Sequence, residues 1–113
     1  MVMSMKKSSK TAGRERRVTY KHYARILRNH KQSLRTRYKI SEIGIFGSYV
    51  RGEQKRGSDI DVLVEFKVIP GLLKFIQLEN YLGEVLKERV DLVHKKALRP
   101  QLRDIILGEV IYV

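Results

Sequence analysis

Cysteine and long apolar runs are both missing from this chain of 113 residues. Without cysteine it cannot form a disulfide scaffold, a Cys-ligated zinc site or an iron–sulfur cluster, and its composition fits a reducing cytosol. Because no apolar run approaches ~18 residues, the sequence predicts no membrane span and no membrane partner. No apolar stretch follows the lysines and arginines of the N-terminus, so we expect no secretory signal and a cytoplasmic protein.

Acidic residues are scarce in the first third of the chain. Residues 1–39 contain thirteen Lys and Arg but a single acid, whereas residues 40–113 contain eleven basic and eleven acidic residues. The whole net charge of +12 therefore comes from the first third. Residues 1–17 also lack periodicity and are rich in Lys, Ser and Arg, so they are predicted to form a disordered basic tail that could contact nucleic acid non-specifically.

Residues 18–113 are predicted to form one small α/β domain, because 13.2 kDa leaves no room for two full cores. A helix is predicted to begin near Thr19, since apolar residues recur at helical spacing as far as Leu34. Helices alternate with short apolar strands in the rest of the domain, which predicts a small sheet with helices packed against it. The predicted strands are 43–46, 59–66 and 90–93, the further helices are 72–86 and 98–106, and the apolar tail 110–113 must pack or pair.

Two carboxylates, Asp59 and Asp61, stand at the beginning of the second predicted strand. Residues i and i+2 of a strand point to the same face with Cα atoms roughly 6–7 Å apart. The pair could therefore converge on one or two Mg²⁺ ions while Ile60 and Val62 anchor the strand in the core. The structural alternative is that Asp59 caps a turn and Asp61 lies on a solvated strand face.

Gly47 and Ser48 follow directly on the first predicted strand. A glycine there lets the backbone approach a ligand, and N–H groups at a helix start favour phosphate oxygens. Arg51, one turn later, could face the same phosphate. Alternatively, Gly47 ends the strand, Ser48 caps a short helix and Arg51 faces water.

Asp91 is a single carboxylate among apolar residues on the third predicted strand. A carboxylate in such a place needs water, a partner or a metal, because burying it alone is costly. If the third strand lies beside the second, Asp91 could join Asp59 and Asp61. A solvated strand face is the alternative.

Taken together, these motifs resemble the nucleotidyltransferase fold of the DNA polymerase beta superfamily. Ten residues separate Gly47-Ser48 from the Asp-x-Asp motif, and a third strand-borne Asp follows about thirty residues later. More narrowly, residues 23–113 resemble the minimal nucleotidyltransferases, the antitoxins of prokaryotic HEPN/MNT toxin–antitoxin pairs. The segments that carry this resemblance are GSYVRGEQKRGSDIDVLVEF, VDLV and ALRPQLRDIILGEVIYV.

The resemblance implies a small mixed sheet flanked by helices and a role for each motif residue. Gly47 and Ser48 would hold the β- and γ-phosphates of ATP, with Arg51 as an auxiliary phosphate contact. Asp59 and Asp61 would bind two Mg²⁺ ions, and Asp91 would share the ion that activates the attacking hydroxyl.

For the family, the resemblance implies transfer of AMP from ATP to a tyrosine of a cognate HEPN ribonuclease toxin. The chain is too short for the extra domains with which template-directed polymerases and tRNA-end-adding enzymes hold their substrates, so we expect the acceptor to dock on the domain itself. That the acceptor is a protein is what the resemblance implies. A non-catalytic antitoxin or a nucleic-acid-binding module is the alternative, in which the carboxylates are structural. Loss of Asp59 and Asp61 would abolish transfer but spare such binding.

Overall fold

The computed structural model describes residues 18–113, so the predicted basic tail at 1–17 lies outside the described residues. The described part forms four strands, five α-helices and one 3₁₀ turn at Lys95–Ala97. In chain order the elements are α1 Tyr20–Asn29, α2 Lys31–Tyr38, β1 Ile40–Phe46, α3 Ser48–Arg51, β2 Ile60–Phe66, α4 Leu72–Leu86, β3 Val90–His94, α5 Pro100–Glu109 and β4 Ile111–Tyr112.

The strands form one mixed sheet in the order β3-β2-β1-β4. β1 pairs antiparallel with both β2 and β4, whereas β2 and β3 run parallel. A parallel pair needs a long crossover connection, and α4 provides it. The mixed sheet with flanking helices is the architecture that the resemblance implied.

One face of the sheet carries the hydrophobic core. Alternate residues of β2, among them Ile60 and Val62, are fully buried there, as predicted. Helices α1, α2 and α4 cover this face with leucines, and the fully buried ones include Leu27, Leu34 and Leu82. The odd-numbered residues of β2, Asp61 among them, consequently point to the opposite face.

The first predicted helix is in fact two. Residue His30, with φ −102° and ψ 5°, separates α1 from α2, and its Nδ1 lies 2.9 Å from the Ile26 carbonyl oxygen. The ring therefore competes with backbone donors for a carbonyl of the last turn. The apolar stripe survives the break, because Leu27 and Leu34 are both fully buried.

Three of the last four residues, 111–113, pair with the sheet rather than only packing on it. Ile111 and Tyr112 form β4 opposite Gly44 and Ile45 of β1, and the Val113 amide donates to the Ile43 carbonyl at 3.0 Å. A Cβ at position 44 would lie 2.8 Å from the Ile111 carbonyl oxygen, so glycine allows this close approach. Within residues 18–113, no helix combines the length and apolar character needed to cross a membrane.

Candidate active site

Asp61 and Asp91 are direct neighbours in the sheet. β2 and β3 pair in a parallel register that sets Asp61 beside Asp91, and neighbouring residues of paired strands share a face. Both side chains line one cleft of about 420 Å³ on the face opposite the helical core. The condition stated for Asp91, that its strand lies beside the second, is met.

The surroundings of Asp61 disfavour its charged form. Burial, followed by the negative charge of Asp91, raises the pKa of Asp61 from its ordinary 3.8 to about 6. Asp59 adds to this effect, and Arg51 opposes it. Negative charges held this close are stabilised by a cation, so the pair is a favourable place for a positive ligand.

Gly47 lies against the Asp61 carboxylate. Its φ of +82° with ψ of −153° is a conformation that residues with a side chain rarely adopt, and a Cβ at this position would overlap the carboxylate. The loop after β1 can approach Asp61 only because position 47 is a glycine. The Gly-Ser motif and the second Asp of Asp-x-Asp, fourteen residues apart, therefore form one site.

A short helix, α3, begins directly after Gly47. The Gly47 carbonyl oxygen accepts hydrogen bonds from the backbone amides of Val50 and Arg51 at 3.0 and 3.1 Å. These bonds form the helical turn that brings Arg51 back towards the loop. Ser48 is partly buried at the first turn, and Arg51 lines the cleft. The helix start predicted for this position is present.

Helix α5 forms the other wall of the cleft. The amphipathic stripe predicted for it faces the carboxylates, but it is not buried in a core: Leu102 and Ile105 line the cleft and are 48% and 63% exposed. At the end of α5, Glu109 accepts a hydrogen bond from the Gly47 amide at 2.7 Å and lies 3.1 Å from the Arg51 guanidinium. The cleft thus has a polar end at Gly47 and an apolar wall.

Asp59 lies apart from the other two carboxylates. It immediately precedes β2, is about half exposed (48% for its side chain), and pairs with Arg89 at 3.1 Å. It lines a second cleft, of about 560 Å³, beside the C-terminal half of α4. An exposed ion pair is worth only about 0–1 kcal/mol, so little free energy opposes rotation of Asp59 towards Asp61.

Part of the residue set fits Mg²⁺. Carboxylate oxygens are the donors that Mg²⁺ prefers, and it is commonly bound by one or two carboxylates together with substrate phosphates. Asp61 and Asp91 present such a pair. Within residues 18–113, no three acidic, His or Cys side chains lie close enough together to hold a metal ion. Asp59, the third predicted ligand, pairs with Arg89 instead.

Two further residues of the site were not singled out from the sequence. Glu109 reaches Gly47 across 62 positions of the chain, and Arg89 joins Asp59 to the Gly57 carbonyl oxygen, to which it donates at 2.8 Å. Both are charged residues without a local motif, so only the tertiary structure shows their roles.

Comparison with known protein families shows to which family the chain belongs. The family model described as "Nucleotidyltransferase domain" matches residues 27–113, which is most of the chain. The chain belongs to this nucleotidyltransferase family. The resemblance stated from the Gly-Ser and Asp-x-Asp motifs is thereby confirmed, and the protein is a nucleotidyltransferase.

One named relative and two solved structures show which members of the family the chain is similar to. The nucleotidyltransferase is 52% identical over 96 residues to the protein adenylyltransferase MntA of Thermococcus cleftensis, and the match covers 85% of this chain and 97% of the relative. A structure assigned as a minimal nucleotidyltransferase superposes with TM-score 0.69 at 34% identity, covering 85% of this chain and 97% of the other. A toxin–antitoxin structure with AMP-PNP superposes with TM-score 0.64 at 28% identity, covering 75% and 69%.

Proposed function

We propose that the protein is a protein adenylyltransferase that transfers AMP from ATP to a tyrosine of a cognate HEPN-type toxin, and so acts as an antitoxin. The observation that carries the proposal is the Asp61–Asp91 pair beside the Gly47-Ser48 loop. This arrangement combines an oxygen-rich place for a divalent cation with backbone and guanidinium donors for phosphate. The name of the Thermococcus relative and the AMP-PNP bound in the toxin–antitoxin structure support it.

The phosphate end of the site is formed by Gly47, Ser48 and Arg51. The Gly47 amide and the Arg51 guanidinium already bind an anionic oxygen, that of Glu109. We assign to these donors and to the Ser48 hydroxyl the β- and γ-phosphates of ATP, which need the same kind of hydrogen bond. The donors orient the triphosphate so that its α-phosphorus lies towards the carboxylates.

The carboxylate end of the site is formed by Asp61 and Asp91, and we assign Asp59 to it as a third carboxylate that would join them. When Mg²⁺ is bound there, it neutralises charge on the triphosphate and lowers the pKa of the acceptor hydroxyl. In the transfer step the tyrosine oxygen forms a bond to the α-phosphorus, the bond to the β-phosphate bridging oxygen breaks, pyrophosphate leaves, and the hydroxyl proton passes to water. Asp59 would have to leave Arg89, with which it forms an ion pair at 3.1 Å, to join the other two carboxylates.

The test is to incubate the protein with ATP, Mg²⁺ and the HEPN-type protein encoded beside it, and to weigh that protein. We expect a mass increase of one or more AMP groups, located on tyrosine by peptide sequencing, and no increase with Asp61→Asn. A toxin that is bound and silenced without gaining mass would contradict the proposal and identify a non-catalytic antitoxin.

A further inference from the structure

Glu109 occupies the donors that the proposed function assigns to ATP. One carboxylate oxygen accepts the Gly47 amide at 2.7 Å, and both oxygens lie 3.1 Å from Nη1 of Arg51. The Glu109 side chain is only 18% exposed, so this contact is largely sheltered from water. A carboxylate of the chain itself therefore lies at the phosphate end of the cleft.

Glu109 and a phosphate cannot use these donors together. The Gly47 amide carries a single hydrogen, and Gly47 is buried between Asp61 and the start of α3. A carboxylate and a phosphate oxygen make the same charge-assisted hydrogen bond to such a donor. Two anions at this place would also repel each other, next to a carboxylate pair that is already negative.

The element that carries Glu109 is loosely held. Glu109 is the last residue of α5, and α5 has no fully buried side chain. The chain on its C-terminal side is held more firmly, because β4 pairs with β1 and the Lys31 ammonium donates to the Val113 carbonyl oxygen. The Glu109 side chain can therefore be displaced from Gly47 and Arg51 while the C-terminus stays paired with the sheet.

We infer that Glu109 is an internal competitor of ATP: it occupies the phosphate position in the nucleotide-free enzyme, and the triphosphate must displace it. This inference rests on the proposed use of ATP. Glu109 thereby sets the affinity of the enzyme for nucleotide.

The test compares Glu109→Gln with Asp104→Asn by titration calorimetry with AMP-PNP and Mg²⁺. Both variants remove one negative charge from α5, but Asp104 is exposed and does not line the cleft. We expect the dissociation constant of Glu109→Gln to fall by about fivefold or more, since a neutral amide competes poorly with phosphate for charged donors. Asp104→Asn should change it by less than about twofold. An unchanged or weaker affinity of Glu109→Gln would overturn the inference.

Thermal unfolding separates competition from a merely supporting role. If Glu109 competes with nucleotide, Glu109→Gln lowers the melting temperature without nucleotide but enlarges the rise caused by AMP-PNP, because that rise follows the affinity. If Glu109 only orients Arg51 for phosphate, Glu109→Gln lowers both the melting temperature without nucleotide and the rise caused by AMP-PNP. That result would contradict competition. Glu109→Asp, whose shorter side chain draws the carboxylate away from Gly47, should show the same pattern more weakly.

Failure of this inference is distinguishable from failure of the proposed function. If neither wild-type protein nor Glu109→Gln binds AMP-PNP, the assignment of ATP as substrate fails. If wild-type protein binds AMP-PNP but Glu109→Gln binds it no better, the proposed function stands and Glu109 is not a competitor.

Discussion

Asp61 is the residue at which the charge of the site is concentrated. Its carboxylate contacts the Gly47 loop on one side and faces Asp91 on the other. Native structure therefore keeps two acids together that water would keep apart. The unfavourable energy of this arrangement appears as the raised pKa of Asp61, and it is available to stabilise a bound cation.

The raised pKa of Asp61 predicts a pH-dependent stability of the metal-free protein. Between about pH 4 and 6 the native state holds a proton that the unfolded chain releases, so Asp61 costs stability as pH rises through this window. Asp61→Asn should thus match wild type near pH 4 and exceed it by about 1–2 kcal/mol at pH 7, after allowance for screening by water. Urea unfolding in a chelating buffer measures both values.

The matched control for this prediction is Glu42→Gln, which neutralises an exposed carboxylate of β1. It should change the free energy of unfolding by less than about 0.5 kcal/mol at either pH. A stability difference between wild type and Asp61→Asn that does not vary with pH would mean that neither burial nor Asp91 raises the pKa of Asp61.

Gly47→Ala tests the close approach between the loop and Asp61. The added Cβ would overlap the carboxylate and force a residue with a side chain into a conformation that costs about 1–3 kcal/mol. We expect lower stability and loss of nucleotide transfer. The measurements are urea unfolding and transfer of label from ATP.

Gly52→Ala is the control, because Gly52 also has positive φ, +73°, but nothing lies within 4 Å of its Cβ position. It should lose about 1 kcal/mol of stability from backbone strain and keep its transfer activity. Normal transfer by Gly47→Ala would show that the loop does not need to contact Asp61.

Residue patterns predicted part of the site before the structure. Asp61 and Asp91 were expected to be neighbours if their two apolar strands paired, and the strands do pair in the register that sets them side by side. The pairing of Asp59 with Arg89 did not follow from the pattern, since alternation along a strand applies only within the strand and β2 begins at Ile60. Glu109 could not be predicted, because its contacts depend on where α5 lies.

At the scale of elements, α4 connects the core to the site. Its leucines at positions 78, 82 and 86 are buried against the sheet, and it forms the crossover that places β3 parallel to β2. The register that sets Asp91 beside Asp61 is therefore maintained by packing on the opposite face of the sheet.

Leu82→Ala tests the contribution of α4 to the core. Leu82 is fully buried, so truncation should cost about 2–5 kcal/mol of unfolding free energy. Leu72→Ala, on the same helix but 77% exposed, should cost less than about 1 kcal/mol. Urea unfolding compares the two variants, and equal losses would contradict the placement of α4.

The observed element boundaries agree with the predicted ones where the apolar residues recur at regular spacing, and differ where local contacts break that regularity. The helix predicted at 72–86 is present with those bounds, because its apolar stripe is unbroken. β1 begins at Ile40, three residues before the predicted strand. The sequence pattern missed these residues because an irregularity in the pairing between Ile40 and Glu42 disturbs the alternation of buried and exposed side chains. The break between α1 and α2 at His30 could not be predicted, because no glycine or proline lies near it.

At the scale of the whole molecule, charge and catalysis are separated along the chain. The first 39 residues carry the entire net charge of +12, whereas the remaining residues, which include the cleft, are balanced. Affinity for polyanions through the N-terminal third would therefore persist without the carboxylates and fade with salt. Nucleotide transfer would require the carboxylates and depend less on salt, because its groups are partly sheltered.

Label transfer from ATP to the proposed HEPN-type partner tests the central claim most directly. With Mg²⁺ present, label on the α-phosphate should appear on the partner and label on the γ-phosphate should not. Asp61→Asn and Asp91→Asn should each lower the rate at least about 100-fold, because each removes part of the charge stabilisation of the transfer step. Asp104→Asn, a surface acid outside the cleft, should transfer like wild type. Undiminished α-label on the partner with Asp61→Asn and Asp91→Asn would contradict the account.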